Sequence, residues 1–319
     1  MKYSFVVPIY NDGYLAEAFC TEFQKVFREY LGKQEIADEV ELIFVNDGSR
    51  NDSLDLLKRL AAQHPFVKVI DLSRNFGQHV AMICGYKHAS GDIVGRLNVD
   101  MQDPPSEIPT VLEALRGGDA DIVVGLQKER RSKKSDLVTS RLFFLFFNWL
   151  VGSDIPQNTA TLRVMRRRYV DAITQAGDKA PFLQGLENWV GFKTLYVPTN
   201  HQERIDKKSS YTFFKRLALA LNAAISFSDR PLKIVVSLGF AVAAVGFAAM
   251  AYLVAAKFIS PDIRPGFTST LAVLLFLSGV QISVVGLCGI YIGKVLVHVQ
   301  NRPLFVVRER VNFPNSAHR

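Results

Sequence analysis

Cysteine is scarce in this 319-residue chain, and the three present exclude more than they suggest. Cys20, Cys84 and Cys288 lie far apart, match no metal-ligand spacing and leave one over if two pair. A reducing, cytosolic setting is the simpler reading. The opening MKYSFVVPIYND has neither a long apolar core nor a small-residue cleavage site, so no signal peptide is expected. There is no G-x-G-x-x-G and no G-K-[ST] loop, which argues against a dinucleotide oxidoreductase and a P-loop ATPase.

The most informative absence is of charge. Ile234–Ala256 contains no charged residue, and neither does Pro265–Gly293. Each run exceeds the ~20 apolar residues that cross ~30 Å of hydrocarbon. Buried helices of a soluble core rarely run so long without a charge, and Gly279, Gly286, Gly289 and Gly293 permit close helix packing in lipid. Two membrane spans are expected, at 231–257 and 266–295, joined by a loop at 258–265.

Elsewhere charge is plentiful. The net charge of +8 and pI near 9.3 call for an anionic partner: nucleic acid, membrane surface or a phosphorylated ligand. Arg230 and Lys233 precede the first uncharged run, and Lys294, Arg302, Arg308 and Arg310 follow the second. Between the two runs lie only Lys257, Asp262 and Arg264. Positive charge then places both ends, including the tail 296–319, in the cytoplasm.

Residues 1 to 210 read as an α/β domain. Tyr3–Val7, Glu41–Val45, Val67–Leu72, Ile93–Leu97 and Asp121–Gly125 are short β-branched or aromatic runs. Between them Tyr14–Tyr30, Ser53–Gln63, Gln78–His88 and Pro105–Arg116 carry helical apolar spacing. This alternation predicts a mostly parallel sheet with helices on both faces, and a ligand outside the carboxyl ends of the strands. The strand ends there are polar: Pro8-Ile9-Tyr10-Asn11-Asp12, Asn46-Asp47-Gly48-Ser49, Ser73-Arg74-Asn75-Phe76-Gly77, and Asn98-Val99-Asp100-Met101-Gln102-Asp103 closed by two prolines. Each alone could be ordinary turn chemistry. Four along one sheet edge point to a metal–phosphate site.

In this order and spacing, VVPIYND, VNDGSRNDS, LSRNFGQH and NVDMQDPPSEIP resemble glycosyltransferase family two, with the GT-A fold. The nearer resemblance is to the polyprenyl-phosphate sugar transferases: dolichol-phosphate mannose synthase and its bacterial undecaprenyl-phosphate relatives. RNFGQH is especially similar to the bacterial transferases of glucose and formamido-arabinose. The likeness continues through IPQNTATLRVMRRR, FLQGLENWVGF, SFSDRPLKI and YIGKVLVHVQNRPLFVV, covering nearly the whole chain.

The resemblance implies an inverting transferase in a bacterial inner membrane, moving a sugar from a nucleotide donor to polyprenyl phosphate. Pro8, Tyr10, Asp12 and Asp47 would hold base and ribose, through carboxylate hydrogen bonds and stacking on Tyr10. Asn98 and Asp100 occupy the family's D-x-D, whose carboxylates and nearby Gln bind Mg²⁺ or Mn²⁺ on the diphosphate; Asp100 and Gln102 are the expected ligands. Mg²⁺ needs only one or two protein carboxylates, so Asn98 should weaken the site without abolishing it. Thr161 is a second departure, because related glucosyl transferases place a proposed catalytic Asp there; the formamido-arabinose branch also lacks it. A sugar hydroxyl needs a base, whereas a lipid phosphate, with a second pKa near ~6, arrives already anionic.

The acceptor phosphate needs cations. Arg130 and Arg131 after the fifth strand, Arg163 in NTATLR, and Arg204, Ser209 and Tyr211 in HQERIDKKSSY are the expected partners, and Arg can grip phosphate in a bidentate fork. Asp100, Arg130, Arg131 and Arg163 form the expected catalytic set. The family pattern near Tyr211 reads R-x-x-G-x-S-K-Y, but this chain has Lys207 for the Gly and Ser210 for the Lys. Lys128–Lys134 could be a solvated run or a nucleic-acid patch; the spans already account for a basic face, so no nucleic-acid partner is expected. His79 and His88 read as structural. Leu137–Gly152 and Tyr211–Ser228, the latter within an expected interface helix at 211–230, carry apolar faces beside basic residues and suit either the bilayer surface or a core.

Two rivals remain. A polysaccharide-extending synthase would call for more spans, a hydroxyl-activating carboxylate and a Q-x-x-R-W motif, which is missing. A non-catalytic scaffold is favoured only by Asn98 and Thr161. The donor base is expected to be uridine by family association; the sugar and the oligomeric state, a homo-oligomer included, stay open.

Overall fold

A computed structural model describes residues 1–127, 158–177, 183–202, 230–259 and 266–314. Arg130, Arg131, Arg204, Ser209, Tyr211 and both amphipathic segments lie outside the described residues. The chain forms two compact units: one holds the sheet and the tail from Pro303, the other the two long helices.

The first unit is built on an eight-stranded sheet in the order β7-β5-β6-β4-β1-β2-β3-β8. Strands β1 (Tyr3–Ile9), β2 (Val40–Asn46), β3 (Val67–Leu72) and β4 (Ile93–Arg96) form its parallel centre. Nearly every residue of these strands is buried, because helices cover both faces and apolar side chains must point both ways. β5 (Ile122–Gln127) and β7 (Thr194–Thr199) are parallel to each other. β6 (Thr159–Arg166) lies between β4 and β5 and runs antiparallel to both. β8 (Val307–Val311) closes the other edge, antiparallel to β3.

One face is covered by α1 (Ala16–Leu31), α2 (Ser53–Gln63) and α4 (Ile108–Gly117). Its core is aromatic: Phe5, Phe19, Phe23, Phe27, Phe44 and Phe66 are all buried there. The turn after α1 closes on Gly32, whose left-handed φ of 64° lets its N–H reach the carbonyls of Arg28 and Glu29. The other face carries α3 (Gln78–His88), α5 (Arg167–Gln175) and α6 (Leu183–Trp189), with Val6, Ile43, Ile70, Met82, Tyr86 and Tyr169 beneath them.

The second unit holds α7 (Arg230–Ile259) and α8 (Phe267–Val299). Within α8, Phe276–Val299 has a mean hydropathy of 1.9 and is long and apolar enough to cross a bilayer. It is the one such helix among the described residues. The apolar part of α7, Leu232–Ala248, is shorter; at 1.5 Å per residue it reaches ~26 Å, just under the hydrocarbon thickness. Both helices expose large apolar side chains, Phe240, Phe247, Ile282 and Ile292 among them.

Candidate active site

The carboxyl ends of β1, β2 and β4 and the loop before α3 enclose a cavity of about 360 Å³. Pro8, Tyr10, Asp12, Asp47, Asn98 and Asp100 all line it. So do Asn75, Gly77 and Gln78, from the third polar strand end and the helix after it, none of which has an individual role in the sequence reading. Gln102 is not in the lining.

Short backbone contacts stitch the motifs together. Asn11 takes a left-handed φ of 63°. Its N–H donates to Ser49 Oγ at 2.9 Å, its Oδ1 accepts from the Arg50 N–H at 2.9 Å, and its carbonyl accepts from Asn51 Nδ2 at 2.9 Å. Gly48, at φ +63°, sits so close to the next strand end that a Cβ would lie 2.3 Å from the Arg74 carbonyl carbon. Only glycine satisfies both demands. Tyr10, 41% exposed, presents its ring at the rim, where a base could stack.

Asp47 is buried, and its carboxylate holds the neighbouring wall. Oδ1 accepts the Phe76 N–H at 2.7 Å and Oδ2 the Gly77 N–H at 2.9 Å. Burial raises its pKa, while those two bonds and Arg74 oppose the rise. Each oxygen keeps lone-pair capacity toward the cavity.

The last motif divides its labour. Asp100 faces the cavity, and its Oδ1 accepts the Gln102 N–H at 3.3 Å. Asp103 turns inward: Oδ2 accepts the N–H groups of Thr161 at 2.5 Å and Leu162 at 3.2 Å, and Oδ1 lies 3.0 Å from His201 Nδ1. Neither Asp103 nor His201 was predicted. The Gln-Asp-Pro-Pro run was a signal for the first; nothing in the spacing signals the second.

The two departures from the family pattern touch each other. Asn98 Nδ2 donates to Thr161 Oγ1 at 3.3 Å, and Asn98 Oδ1 accepts from Gln78 Nε2 at 2.9 Å. Carboxylates at both positions would set like charges side by side, whereas amide and hydroxyl form a neutral, mutually bonded pair. Among the described residues no three His, Cys, Asp or Glu side chains group to hold a metal. One carboxylate at a polar cavity nevertheless fits Mg²⁺ or Mn²⁺ whose remaining ligands are water and substrate phosphate.

Arg163 is placed elsewhere. It stands opposite Arg96 across the β4–β6 pairing, two residues along each strand from the Thr161–Asn98 pair and on the same side of the sheet. Both guanidiniums are buried and share Glu187 of α6, Arg96 at 3.2 Å and Arg163 in closer contact. Burial and then Arg96 lower the pKa of Arg163 to about 9. Burial and then the two arginines push His79 down to about 4. The guanidinium of Arg163 thus engages Glu187 below the cavity floor and does not line the cavity.

A mixed α/β sheet with a polar cavity at its strand ends, lined by Asp12, Asp47 and Asp100, is the arrangement of a GT-A glycosyltransferase. Residues 4–174 match Glycosyl transferase family 2, and the chain belongs to that family. Residues 230–295 match the GtrB C-terminal hairpin. The chain is 33% identical over 311 residues to the SfII prophage-derived bactoprenol glucosyl transferase of Shigella flexneri, covering 97% of this chain and 98% of that one. It is 31% identical over 320 residues to the uncharacterized glycosyltransferase YkcC of Bacillus subtilis, covering 99% and 96%. The crystal structure of mannosyl-3-phosphoglycerate synthase from Rubrobacter xylanophilus shares the fold, with a TM-score of 0.50 and 16% identity over 73% of this chain and 75% of that one.

Proposed function

We propose that the protein transfers a sugar from a nucleotide donor, with uridine diphosphate as carrier, to polyprenyl phosphate at a bacterial inner membrane. The observation that carries this reading is the bond from Asn98, in the cavity lining, to Thr161. With Asp12 and Asp47 given to the donor and Asp100 to the cation in this reading, neither Asn98 nor Thr161 can take a proton from an alcohol, which favours an acceptor that needs none removed. A phosphate ester is such an acceptor, and the relative's name, bactoprenol glucosyl transferase, supports a polyprenyl lipid as its carrier.

In this reading a phosphate oxygen of the lipid attacks the anomeric carbon as the bond from that carbon to the diphosphate breaks, inverting the centre. The nucleoside diphosphate departs with the electron pair. Asp12 and Asp47 hold base and ribose, with Tyr10 stacking. Asp100 and Gln102 would hold Mg²⁺ or Mn²⁺, which when bound would supply charge compensation for the departing diphosphate. Arg130, Arg131, Arg204, Ser209 and Tyr211 receive the lipid phosphate. Arg163 acts from below, holding β6 through Glu187.

Residues 1–210 form the cytoplasmic catalytic part and 211–230 an interface helix. α7 and α8 provide two spans whose exposed apolar side chains meet lipid, with both termini cytoplasmic. The test is turnover with radiolabelled UDP- and GDP-sugars and a short polyprenyl phosphate, with and without chelator. UDP-sugar turnover that chelator abolishes is expected; a preference for GDP-sugar would overturn the donor assignment.

A further inference from the structure

We propose that β8, the strand that follows the membrane helices in the chain, is a latch on the donor pocket, with Arg308 as its positioning residue. This rests on the reading of the 360 Å³ cavity as that pocket. Arg308 contacts two residues that adjoin the pocket's lining in the chain or through a hydrogen bond. Its Nη1 lies 3.3 Å from Asp71 Oδ2, and its Nη2 donates to the Ser73 carbonyl at 2.7 Å.

Each contact is one step removed from the lining. Asp71, 1% exposed, accepts from Asn46 Nδ2 at 2.7 Å, and Asn46 adjoins Asp47. Ser73 opens the loop whose Asn75 and Gly77 line the cavity and whose Phe76 and Gly77 N–H groups are held by Asp47. A buried carboxylate requires a cation or hydrogen-bond donors. Without Arg308, Asp71 would draw on Asn46 and on water, loosening the step between Asn46 and Asp47. The Ser73–Gly77 loop would lose its outer tie at the same time. A looser wall must be ordered by the ligand, and that cost appears as weaker binding.

The strand does not depend on Arg308 to stay docked. Ser73 N–H donates to the Val306 carbonyl at 2.9 Å, and Asn312 Nδ2 donates to the carbonyls of Ala61 and Val67 at 2.6 and 2.9 Å. Glu309 pairs with Lys58 at 2.6 Å, out on the surface. Val311 packs on the aromatic face, and Phe305 and Phe313 pack on the other. Loss of the Arg308 contacts is therefore separable from loss of the strand.

The experiment measures binding of UDP with Mn²⁺ to the full-length protein in detergent by calorimetry, alongside donor KM and kcat. Arg308→Ala should weaken UDP binding and raise donor KM by about 10-fold, with kcat at saturating donor within about twofold. Arg308→Lys should recover most of the affinity, because it restores the charge on Asp71. Glu309→Gln should bind as wild type. Adding Asp71→Asn to Arg308→Ala should cost no further affinity, since no buried charge is then left unpaired. Unchanged UDP affinity in Arg308→Ala, or an equal loss in Glu309→Gln, overturns the latch alone. A wild type that binds neither UDP nor GDP refutes the donor-pocket reading, and the latch with it.

Discussion

The two faces of the central sheet solve different problems. Beneath α1, α2 and α4 the core is aromatic: Phe23 alone meets Phe5, Phe19, Phe27 and Phe66 at ring-centroid distances of 4.8–6.3 Å. Beneath α3, α5 and α6 the sheet buries two arginines on one glutamate, one strand step below the Asn98–Thr161 pair. Aromatic packing stabilises without regard to chemistry. A buried ion triad contributes little net stability, because desolvation offsets the attraction. Its retention under the cavity floor marks the face where geometry matters more than stability.

The sharpest way to break this contrast is a pair of substitutions with similar stability costs. Glu187→Ala leaves two buried guanidiniums without their carboxylate and should cost about 3–5 kcal/mol. Phe23→Ala empties part of the aromatic core and should cost about 3–5 kcal/mol as well. Turnover per folded molecule should fall with the first and stay near wild type with the second, as read by thermal unfolding and activity on the same samples. Equal activity losses would erase the distinction between the faces. Asp100→Ala comes next: it removes the carboxylate proposed to hold the metal and should lower turnover on the order of 100-fold or more, with folding intact.

A smaller effect separates the faces by pH. His79, on the charged face, is held down to about 4 by burial and the arginines. Between pH 6.5 and 4 the unfolded chain binds the proton that the folded chain refuses, so stability falls as pH drops through that window. The loss should be on the order of 1–2 kcal/mol, discounted for the partial exposure of the ring. His79→Gln should flatten it in a thermal-shift titration. Asn98→Asp should lower the Mg²⁺ or Mn²⁺ concentration for half activity by a few-fold, since it adds a carboxylate beside Asp100. Thr161→Ala should be smallest, within about threefold in kcat, because the hydroxyl only holds Asn98.

Helices were legible on both faces: Ser53–Gln63 beneath the aromatic core and Gln78–His88 on the charged face match their expected bounds to the residue. The first helix begins two residues later than its spacing implied, because Gly13–Leu15 winds as a tight 3-10 turn beneath Ser53. The strand ends were legible as a set because parallel register brings them to one edge. Contacts across antiparallel pairings were not. Asn98 meets Thr161 only because Arg96 is in register with Arg163, and no local pattern encodes that pairing. Arg163 was read as a phosphate ligand because guanidinium suits phosphate; its partner, Glu187, sits on a helix that the sequence had not marked. β8 reads as a charged tail, since three of its five residues, Arg308, Glu309 and Arg310, stay exposed on an edge strand.

The central claim is that the acceptor arrives as an anion and no base is needed. The most direct measurement compares polyprenyl phosphate with the matching free polyprenol in one turnover assay, with the same UDP-sugar and Mn²⁺. Transfer to the phosphate alone, nearly unchanged in Thr161→Ala, is the predicted result. Efficient glycosylation of the free alcohol would contradict it, because a catalytic base would then have to exist where the side chains of Asn98 and Thr161 bond to each other and to Gln78.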